Sequence, residues 1–271
     1  MKYFFSFIIP TLNEEKFLPR LLSDLKNQKE KNFEVIIIDG ASVDKTRAIA
    51  KKNWGISINF FEVEKRNVSF QRNFGAEKAD GEYLIFLDAD CRIYKNFTQK
   101  LEKIINKKKG LIFIPSLTPE RKSPQMDLIF KLINFFIDVS QSLSKPFSAG
   151  GSLIIDKNFF KKIGGFDEKA YLAEDHNLIY KASLWGVKSK FLPQVKVKFS
   201  LRRLRKEGEL KLIYKYLYAS LYFLTKGKID KKIFDYPMGG QEYQKINDVS
   251  LNGNLKNYLR KIRIFFKKYL G

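Results

Sequence analysis

The chain has 271 residues and 44% hydrophobic content, with 25 Phe and 13 Tyr, which suffices for one large or two small domains with a substantial core and excludes a disordered protein. One cysteine, Cys91, excludes an intramolecular disulfide, and a single histidine leaves no Cys/His cluster for structural zinc. The net charge of +22 is uneven: residues 201–271 hold 17 Lys/Arg against 6 Asp/Glu, half of the excess in about a quarter of the chain, and this basic end interleaved with Tyr, Phe and Leu points to an anionic partner, a membrane surface or a nucleic acid.

The apolar run at the N-terminus is short and lacks a small-residue cleavage site, so it reads as a first strand, Tyr3–Ile9, rather than a signal peptide. Helix Glu15–Asn27, strand Glu34–Asp39, helix Asp44–Asn53, strand Ser57–Val63, helix Phe70–Ala79, strand Tyr83–Asp88 and helix Asn96–Asn106 follow. Such alternation predicts a parallel sheet with helices on both faces, and the unbroken runs Phe7-Ile8-Ile9 and Val35-Ile36-Ile37-Ile38 suit strands buried on both sides. Pro10, Asp39 and Asp88 then end their strands on one sheet edge, where ligands of open α/β sheets bind.

After Gly110 the pattern loosens: strand Leu111–Ile114, a turn-rich stretch Pro115–Pro124, an apolar helix Met126–Leu143, the segment Pro146-Phe147-Ser148-Ala149-Gly150-Gly151 and strand Ser152–Ile155. A helix runs from Ala173-Glu174-Asp175 through Trp185, and strand Val195–Phe199 leads into Arg202-Arg203-Leu204-Arg205-Lys206. Two basic amphipathic helices, Glu209–Thr225 and Leu255–Leu270, close the chain, suited to lying on an anionic membrane or packing on the core. The best candidate for a membrane span, Leu210–Leu224, is interrupted by Lys211 and Lys215.

Asp88-Ala89-Asp90 places two carboxylates one residue apart at a strand's C-terminal end. Neighbouring carboxylates repel unless a cation lies between them, and oxygen-only ligation suits Mg²⁺ or Mn²⁺ completed by substrate phosphates; the alternative is a solvated turn. On the same edge, Pro10-Thr11-Leu12-Asn13-Glu14, Asp39 and Arg72 form a candidate nucleotide pocket, with helix caps (Thr11, Asn13, Asp39) and a surface ion pair (Arg72) as the plainer roles. Glu174 and Asp175 at a helix start read either as caps or as a general base beside an acceptor hydroxyl, and His176 next to them assists, contacts phosphate or packs. Gly150 and Gly151 mark a tight turn or a backbone that something approaches closely.

FSFIIPTLNEEKFLPRLLSDL, EVIIIDGASVDKT, QRNFGAEKADGEYLIFLDADC, GGSLIIDKNFFKKIGGFDE and AEDHNLIYKASLWG, in this order over about residues 3–200, resemble the successive signatures of the family 2 glycosyltransferases of GT-A fold. The resemblance implies an α/β, Rossmann-like, mostly parallel sheet over residues 1–200, with a nucleotide-binding half (1–110) and an acceptor-binding half (111–200), followed by a helical basic extension (201–271). It implies a nucleotide-diphosphate-sugar donor, a divalent metal and inversion by direct displacement. Pro10, Thr11, Asn13 and Glu14 would line the nucleoside, Asp39 the base, and Arg72 the base or diphosphate. Asp88 would contact ribose or a metal-bound water, Asp90 would ligate the metal, Asp175 would take the acceptor proton and Glu174 would orient the acceptor. Gly150 and Gly151 would admit sugar or acceptor, and Arg202 and Arg203 would bind the diphosphate or an acceptor phosphate.

Ala41 departs from the family pattern, where Gly, Asn or Asp is common, and the Gln-x-x-Arg-Trp element of processive synthases is absent, so one sugar is expected to move, with UDP-sugar favoured as donor. The expected acceptor is a glycan or lipid-linked group at the cytoplasmic face of a membrane. Two other classes compete. A nucleotidyltransferase would want a glycine-rich phosphate loop where this chain has Pro-Thr-Leu-Asn-Glu-Glu, and a nucleic-acid-binding module would leave the carboxylates unexplained.

Overall fold

The computed structural model describes residues 2–121, 123–142, 146, 148, 151–202, 215, 218, 219, 222 and 229. Its first half alternates as the sequence pattern requires: β1 (Tyr3–Thr11), α1 (Leu18–Lys26), β2 (Phe33–Asp39), α2 (Thr46–Ala50), β3 (Ile58–Glu62), α3 (Val68–Lys78) and β4 (Gly81–Leu87). The second half adds β5 (Arg92–Ile93), α4 (Phe97–Lys108), β6 (Ile112–Pro119), α5 (Pro124–Ser140), β7 (Ser152–Asp156), α6 (Lys157–Lys162), α7 (Glu174–Leu184) and β8 (Lys190–Phe199). Together the strands form an eight-stranded sheet ordered β3-β2-β1-β4-β7-β6-β8-β5. The β3-β2-β1-β4 half is parallel throughout, β7 is antiparallel to both neighbours, and β6 returns to parallel pairing with β8. This is the mixed α/β, mostly parallel sheet of the GT-A type.

The central strands are apolar on both faces because each face has its own core. Phe7, Ile9, Val35, Ile37, Ile85 and Leu87 point into one cluster with α1 and α4, while Ile8, Ile36, Ile38, Leu84 and Phe86 point into the other. Helix α3 approaches the second face closely. A Cβ on Gly75 would lie 2.5 Å from Ile38 Cδ1 and 2.6 Å from Ile8 Cγ2, so the glycine sets the helix-to-sheet distance and with it the placement of Arg72 one turn earlier.

Several boundaries differ from the sequence expectation. The stretch read as turns from Pro115 is strand as far as Pro119, because its prolines fall where the ladder tolerates a missing N–H: Pro115 adjoins a register shift and Pro119 is the last strand residue. Helix α1 starts at Leu18 rather than Glu15, since Glu14 C=O accepts from Phe17 N–H and Leu18 N–H in a preceding turn and Pro19 occupies the first helical turn. Helix α2 covers only five of the ten residues expected, and β5 and α6 are too short to carry a periodic signal. In the basic extension, Leu172 bridges Ile229, and Ala219 and Tyr222 pack against that pair beside α7. These residues of the extension therefore pack beside α7. Gly150, Arg203 and the segment 255–270 lie outside the described residues.

Alanine is ordinarily the better helix former by about 1 kcal/mol. Gly75→Ala is nevertheless expected to destabilise the fold by about 1–3 kcal/mol through overpacking against Ile8 and Ile38, measured by urea denaturation.

Candidate active site

The strand order reverses between β1 and β4, which opens a crevice at their C-terminal ends. Thr11 ends β1, Asp39 ends β2 in register with it, and Asp88 follows β4. The β1–β2 corner is tied locally. Asp39 is fully buried; its Oδ1 accepts from the Thr11 hydroxyl at 2.7 Å and the Ser42 hydroxyl at 2.6 Å, and its Oδ2 accepts from Ser42 N–H at 2.8 Å. Asn13 accepts from Val43 N–H at 2.8 Å, and Gln71 donates to the carbonyls of Thr11 and Ile38 at 3.0 and 2.8 Å. Pro10 sits beyond the last β1–β4 pair, so its missing N–H interrupts no bond on that side.

Asp88 and Asp90 each meet one buried arginine. Arg72, only 1% exposed, places Nη2 2.9 Å from Asp88 and Nη1 2.9 Å from Glu174 and 3.2 Å from Asp175, with its guanidinium 5.3 Å from the Phe166 ring. It is a buried hub and not the surface ion pair that was the plainer reading. Arg202 forks onto Glu14 at 2.7 and 2.8 Å, has Nε 2.8 Å from Asp90, and lies 4.9 Å over the Phe17 ring. Asp88-Ala89-Asp90 thus separates two clusters, Glu174/Asp175/Arg72 on one side and Arg202/Glu14 on the other.

Gly151 links Asp88 to Asp175. Its N–H donates to Asp175 Oδ2 at 3.1 Å and its carbonyl accepts from Asp88 N–H at 3.1 Å. With φ at 83°, and with any Cβ at this position falling only 2.6 Å from Asp88 Oδ2, glycine is required here, and the space it leaves is filled by Asp88. Three of the four non-glycine residues with left-handed φ among the described residues rim this site: Asn13 (55°), Ala41 (56°) and Ala173 (60°). Ala41 is the position where the family commonly has Gly, Asn or Asp, and its backbone adopts the conformation those residues favour.

Five carboxylates, Glu14, Asp88, Asp90, Glu174 and Asp175, face two guanidinium groups, an excess of three negative charges. Burial pushes Asp175 up to about 7 against the pull of Arg72, with Glu174 and Asp88 adding to the rise. Burial likewise pushes Glu14 up to about 7 although Arg202 opposes it. For Arg72, burial alone would lower the guanidinium, and the surrounding carboxylates outweigh it and hold the charge. His176 is half-buried with Nδ1 shielded, and burial pushes its imidazole down to about 4, so it is neutral at neutral pH. Among the described residues no group of three or more His, Cys, Asp or Glu is disposed to cage a metal. The donor set suits a hard divalent ion held by the Asp88/Asp90 pair and completed by phosphate oxygens, and the negative excess is what such an ion would offset.

Sequence reasoning put Thr11, Asp39 and Arg72 with Asp88 and Asp90 on one edge and placed Glu174 and Asp175 only at a helix start; Arg72 joins the two groups. Sequence reasoning missed Ser42, Gln71, Phe17 and Phe166. Ser42 and Gln71 stood inside the quoted motifs beside Asp39 and Arg72; the two rings under the arginines carry no periodic signal.

A mostly parallel sheet whose order reverses beside a two-aspartate turn defines an α/β protein of the GT-A type. Residues 6–164, more than half of the chain, match the family model Glycosyl transferase family 2, and the chain belongs to that family. An uncharacterized glycosyltransferase of Rickettsia typhi is 28% identical over 191 residues, 65% of this chain and 57% of that protein, so the chain spans under two thirds of that relative. A Methanococcus voltae glucuronosyltransferase named for a dolichyl N-acetyl-alpha-D-glucosaminyl phosphate is 35% identical over 100 residues, 35% of this chain and 31% of that protein. Among solved structures, S. aureus TarS 1-349 in complex with UDP-GlcNAc matches with a TM-score of 0.61 at 24% identity over 82% of this chain and 67% of that one. A Pyrobaculum calidifontis mannosyltransferase with GDP-Man and Mn²⁺ matches with 0.60 at 18%, over 80% and 65%.

Removing Arg72 leaves three carboxylates without their shared cation, so Arg72→Gln is expected to cost about 3–5 kcal/mol. Asp175 is already raised to about 7 and loses the group that opposes the rise, so the variant's folded state holds its proton to higher pH. The deficit therefore widens as pH climbs through and past about 7 and narrows on acidification, read from denaturation midpoints across that range.

Proposed function

We propose that the chain transfers one sugar, with inversion, from a nucleotide-diphosphate sugar to a hydroxyl or phosphate of a glycan or lipid-linked acceptor, UDP-sugar being the favoured donor. The observation that carries this is the pairing of Arg72 with Asp88 of the sheet-edge turn and with Glu174 and Asp175 of α7, which brings a leaving-group site and a base candidate into one cluster. Thr11, Asn13, Glu14 and Asp39 line the nucleoside side of the crevice, and Arg202 stands on its far wall beside Asp90. A divalent ion, Mg²⁺ or Mn²⁺, at Asp90 with Asp88 beside it would supply countercharge to the leaving diphosphate.

Asp175 acts as the base. Arg72 and Gly151 N–H fix its two oxygens, and its value near 7 leaves it both ionisable at neutral pH and basic enough to take a hydroxyl proton. The acceptor oxygen then forms its bond to the anomeric carbon while the carbon–diphosphate bond breaks, and the electron pair leaves with the diphosphate. No enzyme nucleophile is needed. Glu174, less buried than Asp175, orients the acceptor, and Arg202 neutralises phosphate.

Asp175→Asn is expected to fold and to bind donor while losing about 10²–10⁴-fold in transfer rate; transfer at the wild-type rate would remove Asp175 from the base role. In the wild type, transfer rises as pH increases through about 7, because the base must be deprotonated. A nucleotide panel tests the donor class: UDP, GDP or dTDP raises the thermal midpoint only with Mn²⁺ present, while stabilisation by oligonucleotides instead would overturn the reading.

A further inference from the structure

Helix α5 is apolar on both faces. Inward, Met126, Phe130 and Ile137 are buried in the two cores. Outward, Leu128, Leu132, Phe135, Phe136 and Val139 are each between 47% and 60% exposed. Their i, i+4, i+7, i+8, i+11 spacing makes a continuous stripe about 100° wide along the helix. Nine large apolar side chains are exposed among the described residues, and five of them are on this one helix.

We infer that the outward face of α5 docks on an anionic lipid surface. At 17 residues the helix is shorter than the roughly 20 that crossing a bilayer takes, and no helix among the described residues is long and apolar enough to cross one. Short length combined with an apolar stripe suits a helix lying in the headgroup region. Charge selects the kind of surface. The chain carries +22, Arg121 is exposed just before the helix and Lys131 on its flank, and exposed Lys188 adjoins Ser189, whose hydroxyl bonds Gln141 at the helix's C-terminal end. Asp138 is the exposed acid on the helix. A second copy of the chain fits less well, since a specific protein interface takes roughly 20–30 residues a side and this stripe offers five. The tyrosine-bearing segment of the basic extension is a weaker candidate for the same task, because Tyr222 packs against Leu172 and Ile229 and Lys215 is buried. The inference rests on the lipid-linked acceptor proposed above.

The test is co-flotation of the full chain with phosphatidylcholine vesicles and with phosphatidylcholine/phosphatidylglycerol vesicles. The wild type is expected to float with the anionic vesicles alone and to be released by salt. Leu132→Glu/Phe136→Glu, and the milder Leu128→Ser/Leu132→Ser, are expected to weaken that binding at least about tenfold while leaving the thermal midpoint and transfer to a water-soluble acceptor analogue unchanged. Failure of the wild type to float, full retention of binding by both variants, or a solution dimer that the variants split would each overturn the proposal. Absence of vesicle binding by the wild type with donor-dependent transfer intact sinks this inference alone, whereas vesicle binding by the wild type without any donor-dependent transfer sinks the glycosyltransferase reading.

Discussion

Taking a guanidinium ion out of water costs several kcal/mol unless carboxylates surround it, and Arg72 meets that condition only because three stretches of chain converge on it. Asp88 comes from the end of β4, Glu174 and Asp175 from the start of α7, and Arg72 itself from α3, whose approach to the sheet is set by Gly75. The penalty and its compensation both depend on the whole arrangement being in place. A cluster of this kind therefore stabilises one relative placement of α3, the end of β4 and the start of α7 while excluding neighbouring ones. The ion pair is weak as a source of stability and strong as a source of position.

The same cluster explains why the rim of the site is strained and why its acids are poised near neutrality. Asn13, Ala41 and Ala173 hold left-handed backbone that costs about 1–3 kcal/mol each, and each adjoins a residue that must be aimed: Glu14, Ser42 and Glu174. Gly151 needs its positive φ so that its amide reaches Asp175 while its carbonyl receives Asp88 N–H. Burial raises Glu14 and Asp175 to about 7 against the pull of their arginines, and the neighbouring acids add to the rise.

The parallel half of the fold was legible in the sequence because its determinants are local. Apolar runs bounded by Gly, Pro and Asp fix strands, and the alternation with helices fixes their direction. Pro10, Asp39 and Asp88 were placed on one edge by that reasoning alone, since each was read as a strand end. The rest depended on long-range geometry. Pro115 and Pro119 read as turn until β8 is known to pair alongside with a shifted register, and β5 exists only as a two-residue partner of β8. Glu14 and Arg202 lie 188 positions apart, and no spacing rule links them. Read singly, one was a nucleoside contact and the other a phosphate contact.

That pair also gives the basic extension a defined starting point. Arg202 is its second residue, and the fork onto Glu14, the approach to Asp90 and the stacking over Phe17 fix the chain against the turns after β1 and β4 just as it leaves β8. Farther on, the bridge from Ile229 to Leu172 fixes it again beside α7, which starts two residues later. The extension is thus fixed at its start by an ion pair and at Ile229 by a bridge to Leu172, two contacts that no local pattern within it encodes.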